Sequence, residues 1–195
     1  MIGVACVGLL ALQGDFAAHE KVLAELGVAS KLVKKPADLD GVHGLIIPGG
    51  ESTTLLKLMA PVAMRPALEQ FHAQGRPIFG TCAGLILLAQ ETLPPQESLG
   101  FIDMVAERNA YGRQIDSFVA LGTPLADDLS AEPLEMVFIR APKIARIDSG
   151  VTPLAECKGE VVMARQGSVL VSSFHPELTQ DRRVHQYFLQ MLAAG

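Results

Sequence analysis

Pro77-Ile78-Phe79-Gly80-Thr81-Cys82-Ala83-Gly84 runs from an apolar stretch into a turn of small residues, and Ala83–Gln90 continues with the apolar content of a buried helix. A strand that enters a helix through Gly-x-Cys-x-Gly is a nucleophile elbow with cysteine in the serine position. Small residues on both sides let the backbone turn sharply and expose the thiol. The helix start favours negative charge and offers backbone N–H groups to an oxyanion. Cys82 is therefore the candidate nucleophile, and the junction predicts an α/β fold.

Working outward, short apolar runs alternate with helical patterns: Val4–Leu12, Phe16–Leu26 closed by Gly27, Lys31–Lys34, Gly44–Ile47, then Pro66–Gln74 closed by Gly75. Gly44-Leu45-Ile46-Ile47 has no polar alternate face, as expected of a parallel strand covered by helices on both sides. The expected fold is a doubly wound, mostly parallel sheet flanked by helices. From Met104 to Phe174 the pattern changes to short strands, Gln114–Ala120, Leu134–Ile139, Val161–Ala164 and Val169–Ser173, separated by Pro, Gly and Asp turns, which predicts hairpin pairing. A last helix over Asp181–Leu192 puts Val184, Phe188, Met191 and Leu192 on one face, which should dock on the sheet.

At 195 residues the chain is expected to be one domain, 1–195, large enough for a core that needs no staple. Sixteen Lys and Arg against 21 Asp and Glu give a net charge of -5, and no basic cluster suggests nucleic-acid binding. The longest apolar run, Ile2 to Leu12, falls short of the ~20 residues of a membrane span and lacks the basic start of a signal peptide. A cytoplasmic protein with no membrane partner is expected. Cys6, Cys82 and Cys157 are widely spaced and form no Cys-x-x-Cys pair, so free thiols are expected, with neither disulfides nor a metal site.

A thiol nucleophile needs a base. His19, His43, His72 and His185 sit in polar helical or loop contexts that read as solvated surface positions. His175 follows the apolar Val169–Phe174 and opens His175-Pro176-Glu177, and the proline biases it toward an extended conformation. Residues two apart in an extended chain project to one side, so Glu177 can reach the imidazole, fix its tautomer and stabilise its cation. Pro48-Gly49-Gly50-Glu51-Ser52-Thr53 ends the Gly44–Ile47 strand, and two glycines there admit close ligand approach at the carboxyl edge of the sheet. Ser52 could also cap a following helix.

Taken together, Pro48–Thr54, Gly80–Gly84 and Ser173-Phe174-His175-Pro176-Glu177-Leu178-Thr179 closely resemble the class I, triad-type glutamine amidotransferases, whose fold is flavodoxin-like. Leu12-Gln13-Gly14, Glu107-Arg108-Asn109 and Phe138-Ile139-Arg140-Ala141-Pro142 narrow the resemblance to the glutaminase subunits of pyridoxal 5′-phosphate synthase. That resemblance implies hydrolysis of L-glutamine to glutamate and ammonia through a γ-glutamyl thioester on Cys82, with no cofactor. His175 would be the base and Glu177 its orienter, and the N–H groups of Gly50 and Ala83 would hold the oxyanion. Gly49, Gly50, Glu51, Arg108, Ile139 and Arg140 would form the glutamine site. Glutamine carries an α-ammonium and an α-carboxylate, so an acidic and a basic partner are required, and either arginine could serve the carboxylate.

The family also implies a separate synthase subunit that receives the ammonia, since one domain fills nearly the whole chain. Gln13 is the candidate for coupling that partner to Gly50 and Cys82. Two alternatives stand beside this reading: the glutaminase subunit of another amidotransferase, such as imidazole glycerol phosphate synthase, and a non-catalytic flavodoxin-like regulatory subunit. The Gly-Gly-Glu-Ser-Thr turn and Ile139–Pro142 disfavour the first, and an intact Cys, His and Glu set disfavours the second. The loop Glu91–Ser98, with Pro94-Pro95, matches no motif.

Overall fold

The computed structural model describes residues 5–108 and 117–193. Five strands pair side by side and parallel: β1 (Cys6–Leu10), β2 (Ala29–Val33), β3 (Gly44–Ile47), β4 (Ile78–Thr81) and β12 (Val169–Ser172), in the order β2-β1-β3-β4-β12. In this run β4 is aligned with both neighbours, Ile47 opposite Gly80 and Gly80 opposite Val171. The same sheet continues antiparallel through β11 (Glu160–Gln166), β10 (Thr152–Cys157), β7 (Ser117–Pro124) and β8 (Leu134–Ile139). A small second sheet joins β5 (Ala89–Leu93), β6 (Ile102–Glu107) and β9 (Lys143–Ile147). The order of the parallel strands is the flavodoxin-like one, and the later strands supply the expected hairpins.

The apolar runs are explained by burial on both faces: every residue of β3, β4 and β12 is buried. Side chains alternate between two clusters. Leu45, Ile47, Ile78 and Val171 face α2 (Ser52–Met59), α3 (Met64–Ala73) and α4 (Ala83–Leu88), where Leu55, Leu68 and Leu87 pack. Ile46, Phe79 and Leu170 face the opposite way, with Leu23 of α1 (Phe16–Glu25) and Phe188 of α5 (Arg183–Ala193). Each fully buried side chain of this size contributes about 1.5–3 kcal/mol through removal from water. Val184, Phe188 and Met191 dock α5 on the sheet, with Leu192 packed partly buried beside them, at the i, i+4, i+7, i+8 spacing expected.

Several boundaries differ from the sequence expectation. The helix expected to reach Gln90 ends at Leu88, because Ala89 pairs with Ile102 in the second sheet and the Leu87 and Leu88 carbonyls accept from Leu99 and Phe101. The strand expected over Gln114–Ala120 runs from Ser117 to Pro124 among the described residues, and its expected start lies outside them. So do Val4 and Asn109. Helix α2 starts at Ser52 with Glu51 as its cap residue, and Ser52 does not cap it; its hydroxyl donates instead to Gln96 Oε1 at 3.2 Å. That contact gives the unassigned loop a place, since Thr92 Oγ1 in turn accepts from the Gln96 N–H at 2.8 Å. No described helix is long and apolar enough to cross a membrane.

Candidate active site

Three adjacent strands deliver the candidate residues to one carboxyl edge. Strand β3 runs into Pro48-Gly49-Gly50, β4 into Cys82, and β12 into Ser173-Phe174-His175. Cys82 has φ 49° and ψ −104°, a strained conformation for a residue with a Cβ and the mark of an elbow that thrusts its side chain out. Close packing explains the flanking glycines. A Cβ on Gly84 would lie 2.1 Å from the Ile47 carbonyl oxygen, and one on Gly80 would lie 2.6 Å from the Gly84 backbone. The Cys82 N–H donates to Ser172 O at 2.9 Å, which carries the β4–β12 pairing one residue into the turn.

His175 lies just before the short 3-10 turn Pro176–Leu178, and its own N–H donates to Val137 O at 2.8 Å, tying the segment to β8. Its Nδ1 meets Glu177 Oε1 at 2.7 Å. The expected proximity of the two side chains is thus present, though a turn rather than an extended segment produces it. Burial works against charge on His175, but hydrogen bonds with Cys82 and Glu177, and their charges, outweigh it and raise the imidazole pKa to about 10. A ring that keeps its proton at neutral pH can deliver it to a departing group. Burial likewise works against the Glu177 carboxylate, yet the His19 N–H that faces it and the hydrogen bond and charge of His175 hold its pKa below the usual carboxylate range.

A cleft of about 300 Å³ opens over Cys82 and His175. Gln13, Gly49, Gly50, Glu51, Arg108, Ile139 and Arg140 line it with them. Ala83 and Glu177 lie behind the wall, both buried. Gly14, Asp15, Ser52, Ile86 and Leu178, which the sequence does not assign to the glutamine site, complete the lining. Two acids, Asp15 and Glu51, and two arginines, Arg108 and Arg140, make the lining suited to a zwitterion. Arg108 Nη2 lies 4.0 Å from Glu51 Oε1. The Cys82 thiol contacts the Ile139 carbonyl at 3.9 Å, and the next residue, Arg140, has φ 42°.

The Gly49–Gly50 turn is held from the other side by the segment after β1. The Asp15 N–H donates to Gly49 O at 3.1 Å, and Gln13 Oε1 accepts the Glu51 N–H at 2.9 Å. Carbonyl and N–H point oppositely across a trans peptide, so the Asp15 bond also sets where the Gly50 N–H points. Gln13 lies three residues beyond the end of β1.

Two of the histidines read as surface positions are in the core. His19 and His185 are both 0% exposed. His19 Nδ1 is 3.0 Å from His185 Nε2, while His19 Nε2 is 3.4 Å from Thr81 Oγ1 and 3.5 Å from Glu177 Oε2. Burial lowers the pKa of both rings, that of His185 to about 3, which keeps them neutral. His19 therefore meets Glu177 as an N–H dipole rather than as a cation. The missed signal was helical spacing: His19 shares its buried face with Val22 and Leu23, and His185 shares its own with Val184 and Phe188. His72 is half-buried and stacked 4.2 Å from Phe101; His43 is exposed and accepts the Cys6 N–H. All three cysteines are free, and no group of described residues could hold a metal ion.

Comparison with known proteins places this geometry. A model described as "SNO glutamine amidotransferase family" matches residues 9–194. The chain is 48% identical over 191 residues to a protein of Thermosipho africanus named pyridoxal 5′-phosphate synthase subunit PdxT, covering 95% of this chain and 98% of that one. The namesake from Thermus thermophilus is 48% identical over 191 residues, at 95% and 96% coverage. A solved structure titled as a glutamine amidotransferase superposes with a TM-score of 0.89 at 44% identity, covering 98% of this chain and all of the other.

Proposed function

The chain belongs to the SNO glutamine amidotransferase family, and from that premise we propose how its residues divide the chemistry. The protein hydrolyses L-glutamine to L-glutamate and ammonia, which feeds pyridoxal 5′-phosphate synthesis by a synthase subunit. Cys82 attacks the carboxamide carbon and forms a γ-glutamyl thioester. His175 holds the thiol proton, delivers it to the departing ammonia, and then takes a proton from the water that cleaves the thioester. Glu177 fixes the tautomer of His175 and stabilises its cation. The N–H groups of Gly50 and Ala83 hold the oxyanion; as the first residue of α4, Ala83 has an N–H with no intrahelical acceptor.

Gly49, Gly50, Glu51, Arg108, Ile139 and Arg140 form the glutamine site, Glu51 taking the α-ammonium and the arginines the α-carboxylate. The residues 1–195 act as one glutaminase domain in a hetero-oligomer with the synthase subunit, in the cytoplasm. The observation that carries the assignment is the 2.7 Å contact of His175 with Glu177, just beyond the end of the strand next to the Cys82 elbow. Glutamate release by the purified chain with its synthase partner tests it. Turnover that survives Cys82→Ala would overturn the nucleophile.

A further inference from the structure

Beyond the triad, one buried polar contact has no part in the chemistry above. Glu177 uses Oε1 for His175, and its Oε2 is buried with no hydrogen-bond partner. What faces that oxygen is His19 Nε2, at 3.5 Å, from helix α1 on the far side of the carboxylate. A histidine can help or hinder there, depending on which nitrogen carries the proton.

The neighbouring ring decides it. Suppose His19 carried its proton on Nδ1 and donated to His185 Nε2. His185 would then carry its own proton on Nδ1, which is buried and has no acceptor, and His19 would aim a bare lone pair at the carboxylate. A buried N–H without an acceptor and a lone pair facing an anion both cost free energy. In the opposite arrangement His185 Nε2–H donates to His19 Nδ1, and His19 Nε2–H is left between Thr81 Oγ1, its hydrogen-bond partner at 3.4 Å, and Glu177 Oε2 at 3.5 Å, where its positive end faces the carboxylate. Every proton then has a destination, and only the His185 Nδ1 lone pair is left alone. Burial excludes the doubly protonated form of either ring.

We propose that His19 is a positioning residue of the glutaminase: in the tautomer imposed by His185, its Nε2–H steadies the second oxygen of Glu177, so that the first stays aligned on His175. The inference rests on the triad reading given above. It extends the relay to His185, His19, Glu177, His175 and Cys82, joining α5 and α1 to the elbow. His19 touches neither substrate nor thiol and acts through Glu177 alone.

The test measures glutamine turnover in the complex with the synthase subunit. His19→Leu is expected to lower kcat by about tenfold or more with KM within about twofold, because orientation of the base is lost and not substrate binding. His19→Gln places an amide N–H near the Nε2 position and should stay within about threefold of the parent, whereas His19→Asn reaches only the Nδ1 position and should fall with leucine. In a Glu177→Gln background, His19→Leu should add less than about twofold, since both changes act on one contact. Parent-like kcat in His19→Leu, or losses that multiply in the double variant, would overturn the proposal. If His19→Leu does not fold, Gln against Asn decides, and equal activities overturn it. If Glu177→Gln alone leaves turnover unchanged, the triad reading fails first.

Discussion

Gly49 and His175 touch across the cleft: a Cβ on Gly49 would lie 2.4 Å from Cε1 of the ring, 3.1 Å from its Nδ1 and 3.3 Å from Cβ of Cys82. The turn that follows β3 and His175 beyond β12 therefore share one packing constraint, with Cys82 between them. The glycine at 49 is required by space.

Gly49→Ala must displace the imidazole, because the opposing atoms belong to a ring held by Glu177 and cannot yield independently. A misplacement near 1 Å costs about 100-fold in rate. Turnover is expected to fall by at least that factor while the thermal midpoint moves little. A kcat within tenfold of the parent would show that the ring is less tightly held than its contacts imply.

Cys82 offers a trade between stability and activity. Its φ of 49° suits glycine, so Cys82→Gly should be more stable than Cys82→Ala by about 1 kcal/mol, with both expected to be inactive. Urea unfolding of the two inactive variants checks the ranking. A glutamine-like electrophile should label Cys82 in the parent and leave buried Cys157 and Cys6 unmodified, which mass spectrometry reads directly.

The histidines predict a stability profile with two opposed limbs. His175 has its pKa raised from 6.5 to about 10, so its contribution is complete below pH 6.5 and is lost as pH rises through 10. His185 is shifted the other way, to about 3, so the unfolded chain takes up the proton first and stability falls as pH drops from 6.5 toward 3. Glu177, lowered from 4.5 to about 2, adds a loss below pH 4.5. The contribution of these groups peaks near pH 6.5. His185→Gln should remove about one proton's worth of slope between pH 4 and 6, about 1.4 kcal/mol per pH unit, in urea titrations. An unchanged slope would mean that His185 is not kept neutral by the fold.

The fourth prediction concerns the partner. Gln13 Oε1 holds the Glu51 N–H, and Asp15 holds the Gly49 carbonyl, so a contact on the segment after β1 can reorient the Gly49–Gly50 peptide. Adding the synthase subunit is expected to raise turnover by at least about tenfold, or ~1.4 kcal/mol of barrier. Gln13→Ala should weaken that activation more than it weakens folding. Full activity of the isolated chain would remove the switch and leave the triad intact.

The elbow and its two neighbouring strand ends were legible in the sequence because each combines an apolar strand with residues of restricted type at the same edge. Gly80, Gly84 and Gly49 have packing reasons that survive in the amino-acid letters. The peripheral strands were less legible. Lys143–Ile147 mixes charges with apolar residues, and Thr152–Cys157 carries Pro153 and a register shift, so neither shows clean alternation. Helix α4 ends without Gly or Pro because pairing with β6, rather than local propensity, stops it. His19 and His185 were misplaced for a different reason. A polar side chain on an apolar face is read as exposed unless its helical register is weighed above its chemistry.

The alignment of Ile47, Gly80 and Val171 across three strands has a consequence for refolding. From that row the chain advances two residues to Gly49, two to Cys82 and four to His175. A slip of one residue between β4 and β12 would shift one group by about 3.3 Å, beyond what the chemistry tolerates, while leaving a compact apolar sheet. Glutaminase activity regained after denaturation thus works as a vernier for the central ladder, separating molecules that have collapsed from those whose strands have found their partners.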